Sequence, residues 1–299
     1  MPGGSRRVRR ALAGVVVAAL CVSCSGGHEE RPSPAGGPAG SRAPRASTAA
    51  PGTTTASADP ARQIEDDTAT LRDRSASADE QRSAGEHLQL TLRDLADAPP
   101  AELARVTARL GPGLATTVRE AVRSSHLLSG ITAPQRHFPP WRIVAPAPAR
   151  DLRVFYRLAQ RRTGVPWTYL AAINLVESRM GRIRGTSPAG AHGPMQFVRP
   201  TWELYGGGGD INDPHDAVLA AARLLRADGA PEHMAAALWH YNQSHSSVRA
   251  VTGYARILQR SPWMYDGFWS WRVLYGKGRG TFVLPVGYPR ARPVRLPEG

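Results

Sequence analysis

The sequence predicts a mainly α-helical fold, and three observations support that class. Between about residue 62 and residue 260, apolar side chains recur at spacings of three and four, the period of a helix with one face on a core. Helix start and stop signals flank these runs, most clearly where Asp213 and Pro214 precede an apolar stretch that ends at Gly229. The alternation that is typical of a strand is confined to a short segment near the C-terminal end, "GTFVLPVGYP" at 280–289.

Residues 1–24 have the features of an export signal. "SRRVRR" is basic, "ALAGVVVAAL" is a short apolar segment, and Cys24 follows. The apolar segment is too short to span a membrane comfortably. Cys24, preceded by Val22 and Ser23, resembles a lipoprotein box, in which the cysteine is lipidated, but Cys21 stands where such boxes usually carry leucine. We therefore expect either a membrane-anchored lipoprotein or a secreted protein, in both cases outside the cytoplasm in the cell envelope.

The cysteines and the net charge restrict the class of protein. Cys21 and Cys24 are the two cysteines of the chain and both lie in the signal, so the mature protein has no internal disulfide and depends on its core. The net charge is +14, nearly all of it from arginine, which raises nucleic acid as a partner. Export argues against nucleic acid and favours an anionic wall or membrane surface.

Two segments of different character follow the signal. Residues 25–60 hold almost only small residues, proline and charge, which cannot bury enough apolar area to offset their conformational entropy, so we predict a disordered linker. Residues 62–130 are helical in pattern, and three apolar stripes predict three helices in a small bundle. The stripes are Leu88, Leu92 and Leu95, then Leu103, Val106 and Leu110, then Leu114, Val118 and Val122.

A proline-rich segment at 131–150 separates the front helices from the rest. Proline cannot continue a helix, so we predict an extended strap, with Trp141, Ile143 and Val144 against a core. A boundary between two units falls near the strap, unless the strap ties them into one body.

Two helices are predicted directly after the strap. The first, within 149–164, places Leu152, Phe155, Tyr156 and Ala159 at helical spacing. The second, within 165–181, opens with Pro166 in its first turn and closes at Gly181.

Glu177 is the acidic residue in the apolar run of the second helix. It shares a face with Leu170 and Ile173, the face that is predicted to meet the core. Burial disfavours the ionised carboxylate, and the negative end of the helix dipole opposes it as well. Both effects raise the pKa of the carboxyl group, which is what a general acid near neutral pH requires. The alternative is an ordinary ion pair at the helix end with Arg179, Arg182 or Arg184.

The remaining chain predicts a loop, three helices and a tail. Residues 182–210 are dense in glycine and proline and predict a long surface loop or irregular hairpin. Helical patterns follow at 212–229, 231–244 and 246–260, and the first of these has Asp213 as N-cap with Asp216 as its reciprocal partner. We expect the aromatic extension at 261–299 to pack on the domain, although an exposed sugar-binding face is an alternative.

Four segments, in this order, resemble the lytic transglycosylases of bacterial cell walls, with an SLT-type domain related to goose-type lysozyme. They are "ESRMG" at 177–181, "GPMQF" at 193–197, "NDPHDAVLAAARLL" at 212–225 and "ALWHYNQS" at 237–244. The third is similar to a helix start of the membrane-bound, MltB-like branch. The resemblance covers about residues 150–260 and implies a lysozyme-like catalytic domain at 151–260, with peptidoglycan glycan strands as its substrate.

The resemblance also implies roles for individual residues. Glu177 would be the single catalytic acid and base, and Met195 and Gln196 would line the saccharide groove. Tyr241 and Asn242 would flank the reacting bond, unless Tyr241 is a core tyrosine and Asn242 a C-terminal helix cap. Ser178, at the helix end, would steady Glu177.

The second carboxylate that ordinary glycosidases use has no clear candidate. Glu203 and Asp210 lack a signature and are expected on the solvated surface, while Asp213 and Asp216 are explained as a helix cap. A single acid fits the reaction that the resemblance implies, in which a 1,6-anhydro ring closes on N-acetylmuramic acid (MurNAc) without consuming water. The histidine spacings match no zinc site and no EF-hand loop is present, so no metal or cofactor is expected. A hydrolytic muramidase or an inactive wall-binding protein on the same scaffold are the alternatives.

Overall fold

The structure, a computed structural model, describes residues 59–129 and 135–297 and confirms the mainly helical class. Its helices are α1 Pro60–Arg72, α2 Ala78–Asp97, α3 Pro100–Ala108, α4 Pro112–Ser129, α5 Ala149–Thr163, α6 Trp167–Ser178, α7 Arg199–Tyr205, α8 Pro214–Ala227, α9 Met234–Asn242, α10 His245–Arg260 and α11 Met264–Ser270. Its strands are β1 Arg142–Ile143, β2 Ile183–Arg184, β3 Val273–Lys277, β4 Gly280–Leu284 and β5 Val294–Arg295.

Several predictions fall on other parts of the chain. The export signal at 1–24, Cys24 and the linker up to residue 58 lie outside the described residues, as does the start of the strap at 131–134. Among the helices that are described, none has the length and apolar character that crossing a membrane requires.

The front part of the chain contains four helices rather than the predicted three. The additional helix is α1, which begins at the N-cap Asp59 and buries Ile64 and Leu71. The predicted stripe of α2 is buried, and Ser77 and Glu80 form a capping box that fixes where α2 begins. Proline at the first helical position marks the starts of α3 and α4.

The front helices share their core with the later helices. The main cluster of buried residues runs from Ala61 in α1 to Trp271 after α11. Helix α4 packs on α10, and α2 packs on α11. These contacts are close, since a Cβ added at Gly85 in α2 would lie 2.8 Å from the Cβ of Ser270 in α11. The strap therefore joins two helical parts that pack on one another.

The strap and the C-terminal strands form a second, smaller core. Strand β1 pairs antiparallel with β2, and β3, β4 and β5 form an antiparallel sheet. Trp141 and Ile143 of the strap are buried against Val273, Tyr275 and Leu284, while Val144 is only half-buried. The aromatic extension thus packs on the protein as predicted, and it contains helix α11 in addition to strands β3, β4 and β5.

Residues 182–210 differ from the predicted surface loop. The segment contributes β2 and helix α7, and its central residues Ala191, Met195 and Phe197 are fully buried. Phe197 makes edge-to-face contacts with the rings of Trp202 and Tyr241, which place the loop inside the core. Glycine density in this segment therefore reflects close packing as well as turns.

The contact at Gly85 gives a test of the helix packing. Replacing Gly85 by alanine should lower the free energy of unfolding by about 1–3 kcal/mol, because the new methyl group meets the Cβ of Ser270 and the backbone of Gly267. Gly113 in α4 is the matched control, since a Cβ there meets nothing within 4 Å. Chemical denaturation should show Gly113→Ala unchanged or slightly more stable. Equal stability of the two variants would contradict the close packing of α2 on α11.

Candidate active site

Helix α6, which carries Glu177, is buried on almost every side. Only Tyr169 and Val176 of its twelve residues are partly exposed. An apolar run without helical periodicity is typical of a helix in the middle of a core. The prediction of a single buried face was therefore too narrow, although Leu170, Ile173 and Glu177 are all buried as predicted.

The end of α6 differs from the predicted stop at Gly181. The helix ends at Ser178, and Arg179 takes a left-handed conformation with φ of 52°. Met180 and Gly181 also have positive φ values. Pro166 stands at the N-cap position, one residue before the first turn. Non-glycine residues rarely adopt the left-handed region, so two successive ones point to strain that the surrounding packing maintains.

Glu177 is a buried carboxylic acid. Glu177 is only 4% exposed, and this burial raises the pKa of its carboxyl group from 4.5 to about 8. Its Oε2 atom is shielded from solvent and has no hydrogen-bond partner among the described residues. The group is therefore predominantly protonated at neutral pH, as the sequence predicted.

The alternative that Glu177 forms an ion pair is not supported by the positions of the three arginines. Arg179 donates from Nη1 to the Leu175 carbonyl oxygen at 3.4 Å. The guanidinium of Arg182 lies 5.4 Å from the centre of the Trp269 ring, and Arg184 donates to the Asn212 carbonyl oxygen at 2.8 Å. None of them is within ion-pair distance of Glu177 in the described part of the chain.

A small pocket of about 60 Å³ adjoins Glu177. Its wall is made by the end of α6, the start of the 182–210 segment, the strap and β3, and it includes Trp141, Thr186, Ser187, Gln196 and Val273. Glu177 is the only carboxylate among the described residues that line it.

The other candidate carboxylates have surface positions. Glu203, Asp210 and Asp213 are exposed, as predicted, and Asp216 is half-buried. Asp213 caps α8 by accepting from the Asp216 backbone N–H at 3.0 Å. Asp216 does not reciprocate as predicted, because its Oδ2 accepts from the Asp210 N–H at 3.0 Å and its Oδ1 lies 2.9 Å from Nδ1 of His215.

The segment 193–197 brings Gln196 beside Glu177 through an unusual turn. Gly193 has φ of 75°, and a Cβ there would lie 2.0 Å from the Ile211 carbonyl oxygen, so only glycine fits. Gln196 has φ of 50°, and both its backbone N–H and its side-chain Nε2 donate to the Gly193 carbonyl oxygen. Gln196 lines the Glu177 pocket.

Met195, predicted to line the saccharide groove, is not among the residues that line the Glu177 pocket. Met195 is 0% exposed, and its backbone carbonyl accepts a hydrogen bond of 2.6 Å from the Tyr241 hydroxyl. The side chain instead belongs to the main core cluster. Alternate residues of a tight turn point in different directions, which the sequence pattern does not resolve.

Tyr241 lies near Glu177 without lining its pocket. The ring is 1% exposed, and burial, followed by the negative charge of Glu177, raises the pKa of its hydroxyl well above 10. Asn242 is the last residue of α9, and its Nδ2 donates to Oγ of Ser247 at 2.6 Å. This bond ties α9 to α10, whereas the predicted C-terminal cap position is occupied by Gln243.

A buried polar cluster joins the end of α6 to the turn at 193–197. Asn174 donates from Nδ2 to the Pro194 carbonyl oxygen at 2.7 Å, and Ser178 donates to the same oxygen at 2.5 Å. The Tyr156 hydroxyl donates to Oδ1 of Asn174 at 2.6 Å, and the Gly181 N–H donates to Ser178 at 3.0 Å. The bonds of Ser178 therefore hold the turn in place, and none of them is made to Glu177.

Neither Asn174 nor Tyr156 is predicted from a motif. The signal for Asn174 is an amide in an apolar helix four residues before Ser178, the spacing at which two side chains on a helix meet. An unpaired amide would be costly there, so a partner is required.

Asp213, His215 and Asp216 form the one group in the described ranges whose oxygen and nitrogen atoms are close enough to hold a metal ion, within 4.8 Å of one another. The helix cap and the Asp210 N–H already engage both aspartates. The closeness of these three side chains is therefore explained by the hydrogen bonds at the N-terminus of α8.

Burial of Glu177 makes stability depend on pH. The folded protein holds the Glu177 proton up to about pH 8, whereas the unfolded chain releases it near 4.5. Below pH 4.5 the carboxyl group is protonated in both states, so its burial adds no cost that depends on pH. Between pH 4.5 and about 8 the free energy of unfolding falls as the pH rises, by at most about 1.4 kcal/mol per pH unit.

The matched comparison is between Glu177→Gln and wild type. In thermal or urea unfolding from pH 5 to pH 8.5, the free energy of unfolding of Glu177→Gln should rise relative to that of wild type as the pH rises. Glu203→Gln removes an exposed carboxylate and should show no such trend. A constant difference between Glu177→Gln and wild type would contradict the buried acid.

Comparisons with known proteins agree with the position of the site. The family model described as Transglycosylase SLT domain matches residues 155–264, which contain Glu177, the 193–197 turn and Tyr241. The membrane-bound lytic murein transglycosylase F of Thiobacillus denitrificans is 28% identical over 153 residues, 45% of this chain and 32% of that protein. This chain therefore matches only about a third of the length of that relative. No solved structure gives a significant match. Residues 155–264 are therefore similar to a transglycosylase SLT domain.

Proposed function

We propose that the chain is a peptidoglycan lytic transglycosylase that cleaves the β-1,4 bond between MurNAc and N-acetylglucosamine. The observation that carries the proposal is a single buried carboxylic acid, Glu177, at a pocket within a transglycosylase SLT domain. The name of the relative, a membrane-bound lytic murein transglycosylase, agrees with this substrate class.

The proposed reaction uses Glu177 twice. The protonated acid first donates its proton to the glycosidic oxygen, the bond from this oxygen to C1 of MurNAc breaks, and N-acetylglucosamine leaves with a free 4-hydroxyl while an oxocarbenium-like centre develops at C1. The resulting carboxylate then removes the proton from the C6 hydroxyl of the same sugar, and that oxygen attacks C1. A 1,6-anhydro ring forms, the acid is protonated again, and no water is consumed.

The absence of a second carboxylate in the pocket, among the residues that the structure describes, supports this route over hydrolysis. A retaining glycosidase places its two carboxyl groups about 5–5.5 Å apart, and an inverting one about 6.5–9.5 Å apart. Glu203, Asp210 and Asp213 are exposed and do not line the Glu177 pocket. A raised pKa also serves both halves of the cycle, because the group must donate and accept a proton near the same pH.

The remaining motif residues are proposed to act around this acid. Gln196, which lines the pocket, would position an N-acetyl group of the substrate. Tyr241 would act as a positioning residue, since its hydroxyl holds the Met195 carbonyl and thereby the turn that carries Gln196. Asn242 would hold α9 on α10 beside the site through Ser247.

The proposed location is the cell envelope. Export through residues 1–24 would bring the enzyme to its substrate, with either a lipid on Cys24 or release to the wall. The basic charge of the chain would favour retention at an anionic surface.

Product analysis on purified sacculi tests the proposal. Wild type should release muropeptides with 1,6-anhydro ends, and Glu177→Gln should reduce release by at least about 100-fold, the order of a general acid's contribution. Glu203→Gln, which removes an exposed carboxylate of the neighbouring helix α7, is the control and should retain full activity.

Three results would contradict the proposal. Reducing ends in place of anhydro ends would indicate a muramidase. Binding to sacculi with no released fragments would indicate an inactive wall-binding protein. Full activity of Glu177→Gln would remove Glu177 from the mechanism.

A further inference from the structure

A second and larger cavity lies next to the Glu177 pocket. It has a volume of about 410 Å³, and it shares the residues Arg179 and Leu274 with the smaller pocket. We call it the arginine pocket and define it by Gln89, Arg93, Arg179, Tyr254, Trp271 and Tyr275, which are among its lining residues. Helices α2 and α4, which lie outside residues 155–264, build one of its walls.

Arg179 stands between the two pockets as a cation without an acidic partner in the described ranges. The only hydrogen bond that its guanidinium makes to a described residue is the long one to the Leu175 carbonyl, and its charge lies 5.9 Å from the centre of the Trp271 ring. Burial lowers the pKa of the group. A half-buried charge without a counter-ion is costly, so an anion that entered here would be stabilised.

Two further donors in the wall of the arginine pocket lack an acceptor. Nη1 of Arg93 and Nε1 of Trp271 are shielded from solvent and bond to no described atom. Nε and Nη2 of Arg93 both bond to Oδ1 of Asp94, which leaves Nη1 as the free donor of that guanidinium. Trp271 is 3% exposed. Buried donors are normally satisfied, so two of them beside one cavity indicate a missing acceptor.

Arg179 is the cation without a counter-ion in the arginine pocket, because Arg93 is paired with Asp94. Asp97 is the one carboxylate among its described lining residues, and it is exposed at the edge. Arg93 and Arg179 are the two cations in the wall. The rings of Trp271, Tyr254 and Tyr275 supply apolar and aromatic surface. This combination suits a carboxylate that is attached to a saccharide or a short peptide.

We propose that the arginine pocket binds a carboxylate carried by a MurNAc substituent of the glycan strand. The inference rests on the proposed function, because it assumes that the strand's scissile bond lies at Glu177. The carboxylate has two sources in peptidoglycan, the lactyl group of a peptide-free MurNAc and the peptide attached to that group. A strand whose scissile bond lies at Glu177 would bring either one towards Arg179, the residue that both pockets share.

The pocket gives residues of α2 and α4 a part in substrate selection. Gln89 and Arg93 of α2, together with Ser125 and Ser129 of α4, line the same cavity as Arg179 of the catalytic domain. The side chain of Gln89 also bonds to both the N–H and the carbonyl of Arg272, at 2.7 and 3.0 Å, which fixes α2 against the residue after Trp271.

Binding measurements in the Glu177→Gln background test the proposal without turnover. The ligands are a disaccharide-peptide with free carboxylates, the same compound with its carboxylates amidated, a peptide-free MurNAc oligosaccharide, and its lactyl amide. At least one acid should bind about tenfold or more tightly than its amide, since a hydrogen bond to a charged group has this order of effect. The pair that shows the difference identifies the source of the carboxylate.

Arg93→Gln, added to Glu177→Gln, should lower the acid-to-amide affinity ratio of that pair several-fold, because Nη1 of Arg93 is lost as a donor while Arg179 remains. The matched control is Arg105→Gln, which removes an exposed arginine that pairs with Glu102 on α3 and does not line the pocket. The control should keep the ratio. Circular dichroism of each variant separates loss of binding from loss of fold.

The outcomes separate this proposal from the proposed function. Ratios of one for both pairs, or equal losses with Arg93→Gln and Arg105→Gln, would overturn the carboxylate assignment even if wild type releases anhydro products. No cleavage of sacculi by wild type, with an Arg93-dependent ratio intact, would overturn the proposed function and support the pocket.

Discussion

The proposed chemistry depends on the desolvation of one carboxyl group. Glu177 lies in the last turn of α6, a helix that contacts α5, α8 and α10 and has hardly any solvent-exposed surface. No arginine or lysine in the described ranges neutralises it, so the neutral acid is the stable form near neutrality. An acid in this state is a ready proton donor. The packing of α6 offsets the unfavourable free energy of burying the carboxyl group.

The neighbouring turn is held by backbone carbonyls, each with a buried donor. The Pro194 carbonyl accepts from Asn174 and Ser178, and the Met195 carbonyl accepts from Tyr241. Because these bonds act on the main chain, Gln196 can keep a left-handed conformation and remain at the Glu177 pocket. The hydroxyl and amide side chains of the sequence motifs thus fix the geometry of the turn more than they contact the pocket.

Much of the fold follows from signals in the sequence, and the site follows only in part. Proline and aspartate at helix starts, together with apolar stripes, predict most helices, and the setting of Glu177 in an apolar run predicts its burial. The burial of Met195 in the core is not predicted, because spacing does not tell which way a side chain points from a tight turn. Arg179, Arg93 and Trp271 come together from distant parts of the chain, and only packing of α2 on the later helices brings them to one cavity.

The most direct test of a buried, protonated acid is the titration of Glu177 itself. Carbon NMR of protein labelled at the glutamate carboxyl carbons, with Glu177→Gln to assign the signal, reads its pKa without reference to activity. We expect a midpoint near pH 8. A midpoint at or below about 4.5, the value of an exposed glutamate, would contradict it.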